Sequence, residues 1–374
     1  MNTLSLPQLA RSSSERADLH LHSHYSDGQY APRVLAQMAA QKGLRVIALT
    51  DHATTRGIAE MIAEASRWGI YNLPAIELNA QTGDFLGYYI DYEHQGLLAF
   101  LQEMNALREK RIRLTVARLR EFGYDLAWSA LVEFSKPALP SRAHIARMLV
   151  ALKRFPNVDL VFKTLLGRRQ PAYIEPEAPP DEQCVRIIRE AGGLAVLAHP
   201  QFLNVDPENL QPYIQQLVAW GVSGVEQMPE RVRGPESAVW EQARKEHGLF
   251  EIQGSGFHGE EISNVCLGDK TIGADFFSVM EASLPPQSAH KSFFKRLYWR
   301  SSNLSPAEFH QSLFPEDYHV ITPHHTDLLD YQPEIPPVPA DYVGLPFVLV
   351  TPGALDQIDE IRKILGAFGA QIVA

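Results

Sequence analysis

The sequence predicts an α/β fold carrying a helical insertion and an added C-terminal α+β segment. Three observations predict it. Short apolar runs alternate with helical stretches from about Ala17 to Gly259. Several of those runs end abruptly in histidine, aspartate or glutamate. Between Gly96 and Arg169 the alternation stops, and the chain reads as helix after helix.

The expected strands, in order, are Ala17–His22, Arg45–Thr50, Leu73–Leu78, Phe85–Ile90, Leu194–His199, Ser223–Gln227 and Leu249–Gly254. Helices such as Pro32–Lys42, Thr55–Trp68, Asp181–Ala191 and Ser237–His247 sit between them, the pattern of an α/β domain with parallel strands. Within the insertion, Leu97, Leu98, Leu101, Met104, Leu107, Ile112, Leu119 and Phe122 keep roughly helical spacing. This block is expected to cap the mouth of a barrel. A proline-rich join, Gln170–Pro180, returns the chain to the α/β domain. After Gly268 the character shifts to Pro285-Pro286, Pro336-Pro337 and clustered aromatics. Phe347–Val350, Asp356–Phe368 and Gln371–Val373 then read as strand, helix, strand, which resembles the opening of ferredoxin-like proteins. The expected division is an arm over 1–16, a barrel over 17–95 and 170–268, a cap over 96–169 and an extension over 269–374.

Hydrophobic residues make up 45% and charged residues 21% of the chain, ordinary values for a folded protein. The formal charge of −10 argues against binding duplex nucleic acid, which needs a broad cationic face. It leaves room for a small anionic substrate neutralised locally. Cys184 and Cys266 are the only cysteines, so no disulfide framework is implied and a reducing compartment fits. No apolar run reaches the length of a membrane span, and Met1–Ala17 lacks the apolar core of a signal peptide. A cytoplasmic protein is expected.

The first chemical signal is Asp18-Leu-His20-Leu-His22-Ser-His24-Tyr-Ser-Asp27-Gly28. Alternation along a strand puts Asp18, His20 and His22 on one face, so two imidazoles can grip one metal while Asp27 follows in a turn. Ile47-Ala-Leu-Thr50-Asp51-His52 and Leu73-Pro-Ala-Ile-Glu77 are apolar strands that end in metal-competent groups. So are Gly192-Gly-Leu-Ala-Val-Leu-Ala-His199-Pro200 and Ile252-Gln-Gly-Ser-Gly256-Phe-His258-Gly259. In α/β barrels such strand ends form the active face. A single histidine on a strand is usually structural; several strand ends each bearing His, Asp or Glu are far more specific.

In order, DLHLHSHYSDG, TDH, the Glu77 strand, SRAHIAR, QPAYI, GGLAVLAHP and GSGFHG resemble the motifs of the PHP (polymerase and histidinol phosphatase) phosphoesterases. The likeness covers about Ala17 to Gly268 and points to the bacterial branch acting on nucleotide 3′,5′-bisphosphates and RNA 5′ ends. It implies a distorted seven-stranded (β/α) barrel holding two or three divalent metals, Mn, Zn or Fe. The ligands it implies are His20, His22, Asp27, His52, Glu77, His199 and His258, with Glu77 bridging two ions. Three positions depart from the pattern. Gly256 stands where the family has Asp, Asp84 where it has His, and Ala53 where it has an acidic residue. Asp84 can still ligate through oxygen; Gly256 cannot, so at least one metal position is expected to be weakened.

Ser141 is placed to cap a helix that opens with Arg142 and His144, both candidates for holding substrate phosphate at a helix start. Arg56 is a third candidate. Arg111, Arg113, Arg118 and Arg120 read as a solvated helix face. Lys291, Lys295, Arg296 and Arg300, interleaved with Phe293, Phe294, Tyr298 and Trp299, fit partner or core packing better than nucleic acid. His319, His324 and His325 resemble a metal cluster only in composition, and His24 and His94 receive no role.

The expected mechanism is hydrolysis of a phosphate ester by metal-activated water. Arg142 would neutralise phosphoryl charge and His199 or His258 would protonate the leaving oxygen. The expected substrates are a nucleotide phosphate or a short single-stranded RNA 5′ end. Two other readings are a weakened PHP scaffold that binds or regulates, with a protein partner on the C-terminal extension, and hydrolysis of a non-phosphate bond. The TDH and AHP motifs argue against the last.

Overall fold

The structure, a computed structural model, describes residues 16–228, 235–262, 265–273, 276–284, 297–299, 319–321 and 346–350. Its main sheet contains β1 (Arg16–Leu21), β2 (Leu44–Leu49), β3 (Tyr71–Asn79), β4 (Asp84–Tyr88), β5 (Leu194–Ala198), β6 (Val222–Glu226) and β7 (Phe250–Ile252). They are ordered β7-β6-β5-β4-β3-β2-β1, and a two-residue β8 (Ile272–Gly273) is added antiparallel beyond β1. Each of the seven expected strands is present.

The expectation of parallel strands is corrected at one strand. β4 runs antiparallel to both β3 and β5. The reason is local: only four residues separate β3 from β4, and Ala80 N donates to Gly83 O across the turn at 2.9 Å. A parallel partner would need a crossover of a dozen residues or more. The sheet curls until its ends meet. Leu19 N donates to Gln253 O at 3.3 Å, Gly256 N to His20 O at 2.9 Å and His22 N to Phe257 O at 3.0 Å. The segment following β7 is thereby stitched to β1.

Helices α1 (Pro32–Gln41) and α2 (Ile58–Arg67) cover one face, where Leu21, Leu35, Ile47, Leu49 and Met61 are buried together. The larger core gathers Leu19, Ile76, Leu86, Tyr88, Val196 and Leu197 from the strands. Each fully buried aliphatic side chain of this kind contributes about 2 kcal/mol.

The insertion contains α3 (Gln95–Glu121), α4 (Trp128–Ser135), α5 (Arg142–Ala151) and α6 (Val158–Val161), which runs into one π turn over Phe162–Leu166. At 27 residues, α3 is about 40 Å long. Its first half, through Phe100, Leu101 and Met104, packs on the main core. Its second half, through Ile112, Val116 and Leu119, packs with Leu131, Ile145 and Leu149 in a separate core. Phe122, expected on the apolar stripe, is instead exposed, because the helix ends at Glu121 and the C-cap side chain leaves the face.

α7 (Asp181–Glu190) and α8 (Leu210–Trp220) follow, then α9 (Pro235–His247). Past Gly268, α10 (Phe276–Ser283) still contributes Phe276 and Met280 to the main core, as does Leu284 beyond it. Strands β9 (Leu297–Trp299), β10 (His319–Ile321) and β11 (Pro346–Val350) form an antiparallel sheet ordered β10-β11-β9. The strand expected at Phe347–Val350 is β11. The helix expected over Asp356–Phe368, the strand over Gln371–Val373, His324, His325 and most of the basic aromatic stretch lie outside the described residues, as does the arm before Arg16.

Candidate metal centre

β1 carries His20 to the curled end of the sheet and His22 follows its last residue; both are buried. The turn that follows places Asp27, and it closes tightly: a Cβ on Gly28 would run into the His22 carbonyl. His52 follows β2 and bridges to Glu77 within β3. Glu77 is fully buried, and both its oxygens are surrounded by imidazole. Its Oε2 lies 3.1 Å from His22 Nε2, 3.2 Å from His20 Nε2 and 3.3 Å from His52 Nδ1. Its Oε1 lies 3.1 Å from His199 Nε2.

His199 follows β5 with φ +29°, in the left-handed region where a residue with a Cβ is strained. The hydrogen bond from its N–H to Glu226 Oε2, at 2.8 Å, holds it there. Asp84 opens β4, with Oδ2 3.7 Å from His199 Nδ1 and Oδ1 accepting from Asn79 Nδ2 at 2.9 Å. His258 Nε2 stands 3.4 Å from Asp27 Oδ1, and its Nδ1 lies 2.8 Å from the Gly256 carbonyl. A carbonyl only accepts, so the His258 proton sits on Nδ1.

The structure therefore brings together His20, His22, Asp27, His52, Glu77, Asp84, His199 and His258. Three overlapping groups within this set, and a fourth that Glu226 completes with His20 and His199, have spacing that could hold metal. The donor chemistry fits divalent ions. His20 Nε2 and His22 Nε2 lie 3.1 Å apart and point at the same carboxylate oxygen. Two ligands each about 2.1 Å from one ion stand roughly 3.0–3.4 Å apart. His22 Nδ1, His52 Nδ1 and Glu77 Oε1 are buried without a hydrogen-bond partner, and such atoms are costly unless something satisfies them.

Charge follows the same geometry. Burial opposes ionisation of Glu77, but His52, His20 and His199 outweigh it and hold the carboxyl well below its ordinary value. Burial likewise opposes ionisation of Asp27, and His52 and His258 overcome it. Burial, with His258 and His52 nearby, pushes His22 well down. His20 is raised, because Glu226 and Glu77 outweigh its burial.

Glu226 was missed in the sequence. Its Oε1 lies 2.9 Å from His20 Nδ1, and it shares a metal-competent group with His20 and His199. The signal was the one that singled out Glu77: an apolar strand, here Val222–Glu226, ending in a carboxylate. Arg108 was missed as well. It donates from Nη1 to the His52 carbonyl at 2.6 Å. Two motif aspartates hold backbone instead. Asp18 accepts from Ser255 N and Gly268 N, each at 2.8 Å. Asp51 accepts from Ser23 N at 2.7 Å and from the Ser23 and Ser26 hydroxyls at 2.6 Å.

A cavity of about 270 Å³ opens from this centre, lined by Asp27, His52, Asp84, Arg108, Arg111, Arg142 and Tyr173. The three residues expected to hold phosphate are not brought together. Arg142 lines this cavity. His144 is capped through Ser141 and lines a different cavity with Arg147 and His24. Two residues apart on a helix means about 200° around its axis, so the pair faces opposite ways. Arg56 donates from Nη1 to the Pro137 carbonyl at 2.9 Å and lies over the Tyr25 ring.

Gly256 and Ala53 both adopt positive φ, +63° and +49°. Ala53 is fully buried, while a Cβ at Gly256 would meet open space.

Residues 18–133 match the PHP domain family. Over 249 residues the chain is 30% identical to a 5′-3′ exoribonuclease of Haemophilus influenzae, covering 66% of this chain and 90% of that one. It is 31% identical over 246 residues to a 3′,5′-nucleoside bisphosphate phosphatase of Chromobacterium violaceum, covering 64% and 86%. A solved amidohydrolase structure from Chromobacterium violaceum, with bound sulfate, superposes with TM-score 0.63 at 28% identity, covering 72% and 97%. With these relatives, the curled α/β sheet and its histidine–carboxylate centre mark a metal-dependent phosphoesterase. The chain belongs to the PHP family.

Proposed function

We propose that this enzyme hydrolyses phosphate esters of nucleotides or removes nucleotides from short RNA 5′ ends. The observation that carries the reading is the Glu77 carboxylate, ringed by four imidazole nitrogens at 3.1–3.3 Å beneath a cavity whose far wall is cationic. His20, His22, Asp27, His52, Glu77, Asp84, His199 and His258 are assigned as the ligands, with Glu226 orienting His20 from behind. Mn, Zn or Fe at two or three positions would supply an acidified water and neutralise phosphoryl oxygens when bound.

The chain's own groups do the rest. Arg142 draws the phosphate into the cavity, and Arg108 extends positive charge toward Asp27 and Asp84. His258, with its proton held on Nδ1 by Gly256, keeps Nε2 directed at Asp27. His144 and Arg56 are set aside as phosphate contacts, since their polar atoms serve Ser141 and Pro137. The helical block over 96–169 limits the cavity to a small molecule or a chain end, and the net charge of −10 disfavours duplexes. A cytoplasmic setting fits two unpaired cysteines, and no helix among the described residues is long and apolar enough to cross a membrane.

The rival binding-module reading loses its main support. The departures at Gly256, Asp84 and Ala53 leave the converging side chains in place, and Asp84 keeps an acidic oxygen in one of the metal-competent groups. The test is a panel of nucleoside bisphosphates, mononucleotides, 5′-phosphorylated oligonucleotides and simple phosphate esters, assayed with Mn, Zn or Fe. Turnover of a nucleotide or RNA end is expected. Silence across the panel with metal demonstrably bound would return the assignment to a binding module.

A further inference from the structure

The buried stripe of α3 has a polar gap. Leu97, Leu101 and Met104 pack in the main core and Ile112, Val116 and Leu119 in the second, at helical spacings of three and four residues. Asn105 and Arg108 continue that spacing across the gap. Polar groups on such a stripe are costly unless they find partners. Both find main-chain oxygens. Asn105 Nδ2 donates to the Ala53 carbonyl at 3.0 Å, and Arg108 Nη1 donates to the His52 carbonyl at 2.6 Å.

Those two oxygens flank one residue. Ala53 is fully buried with φ +49°, a conformation that the Cβ of an L-residue resists. The angle between the peptide planes before and after Ala53 is what defines that conformation. In the first plane, the Ala53 N–H donates to Glu77 O at 2.9 Å while the His52 carbonyl accepts from Arg108. In the second, the Ala53 carbonyl accepts from Asn105. The sheet pins the near side of the turn, through the Ala53 N–H and the Asp51 carbonyl, and α3 pins the far side. The His52 imidazole is presented from this turn, with Nδ1 3.3 Å from Glu77 Oε2 and its ring 4.6 Å from that of His22.

We propose that Asn105 and Arg108 are positioning residues of the metal centre, clamping the two peptide planes around Ala53 and so holding His52 at Glu77. Metal occupancy at the position that His52 serves then depends on docking of the helical insertion, and the two are coupled reciprocally. This coupling rests on the assignment of His52 as a ligand, in the group it forms with His22, Asp27 and His258. Asn105 is the cleaner probe of the clamp, because Arg108 lines the cavity and Asn105 does not.

Two experiments test it. In the first, Zn is titrated into metal-free protein in competition with a chelator of known affinity. The binding step lost in His52→Ala identifies the position that His52 serves. Asn105→Leu is close in volume and equal in charge but has no donor, and should weaken that step about tenfold or more. Val116→Ala opens a cavity in the second core about two turns beyond Arg108, and should lower the Tm without changing that step. An unchanged step in Asn105→Leu, or an equal loss in Val116→Ala, overturns the clamp. Should Asn105→Leu fold poorly, Asn105→Ala removes the same donor with the best helix former. The second experiment needs no variant. By reciprocity, Zn should slow amide exchange through residues 101–108 of α3 about tenfold more than through α8, which touches neither carbonyl. Equal slowing in the two helices overturns the coupling. A wild type that binds Zn but loses no step in His52→Ala would instead remove the ligand assignment, and the clamp with it.

Discussion

His20 Nδ1 lies 2.9 Å from Glu226 Oε1, while the opposite nitrogen of the same ring faces Glu77 at 3.2 Å. One imidazole thus spans two carboxylates on different strands, and its orientation is set from behind. Such a partner fixes the tautomer of a ligating histidine and raises its basicity.

Glu226→Gln should therefore weaken metal binding about 10- to 100-fold without removing a group from the Glu77 side. The measurement is competition against a chelator of known affinity. An unchanged affinity would mean that Glu226 serves only to hold the His199 backbone N–H, which glutamine can still accept from.

Loss of the two β1 imidazoles should be more severe. The double variant His20→Ala, His22→Ala removes two of the three nitrogens that converge on Glu77 Oε2. Elemental analysis of protein purified without chelator should show metal content falling to near zero. Full occupancy in that variant would refute the ligand assignment.

Gly256→Asp has room for its side chain, since nothing lies within 4 Å of a Cβ there. The backbone φ of +63° costs a residue with a Cβ about 1 kcal/mol, and aspartate tolerates that region better than most. The expected outcome is a modest fall in the Tm of the metal-free protein together with a higher metal stoichiometry. A lower Tm with unchanged stoichiometry would show that water or another side chain already completes the site.

His144 gives a prediction in pH. Burial, then Arg147, lowers its pKa from 6.5 to about 4. Between those values the unfolded chain takes up a proton that the folded His144 refuses, so stability falls as pH drops through the window. The slope from this one group is at most about 1.4 kcal/mol per pH unit. His144→Gln should flatten the metal-free Tm profile between pH 6.5 and 4 relative to wild type. Parallel profiles would assign the acid sensitivity to other groups.

Arg142→Ala and His258→Ala should separate kinetically. The first removes a contact made to bound and reacting phosphate alike, raising KM with little change in kcat; the second disturbs the Asp27 side of the metal centre and lowers kcat. Steady-state kinetics on one nucleotide substrate distinguishes them. Equal effects on both constants in both variants would contradict the assigned roles.

The order of strands along the chain and most of the centre were legible in the sequence. An apolar run ending in His20, His52, Glu77 or His199 has few uses for that terminal group except at a shared polar site, and the period of two along β1 already put His20 and His22 on one side. What local pattern could not supply is what lies opposite. Glu226 ends a strand just as Glu77 does, but only the curl of the sheet carries it to the far nitrogen of His20. Arg111 and Arg113 are near neighbours on one helix, yet the crossing of two cores turns one toward a cavity and the other toward Glu109. Arg142 and His144 share a motif and face different cavities, because helix rotation separates what the sequence sets side by side. The antiparallel β4 follows from a four-residue turn whose meaning depends on the strand waiting beyond it. Residue type and spacing determine which chemistry a side chain can perform; the packing of distant elements determines which partner it meets, and that is a property of the closed sheet and its cap.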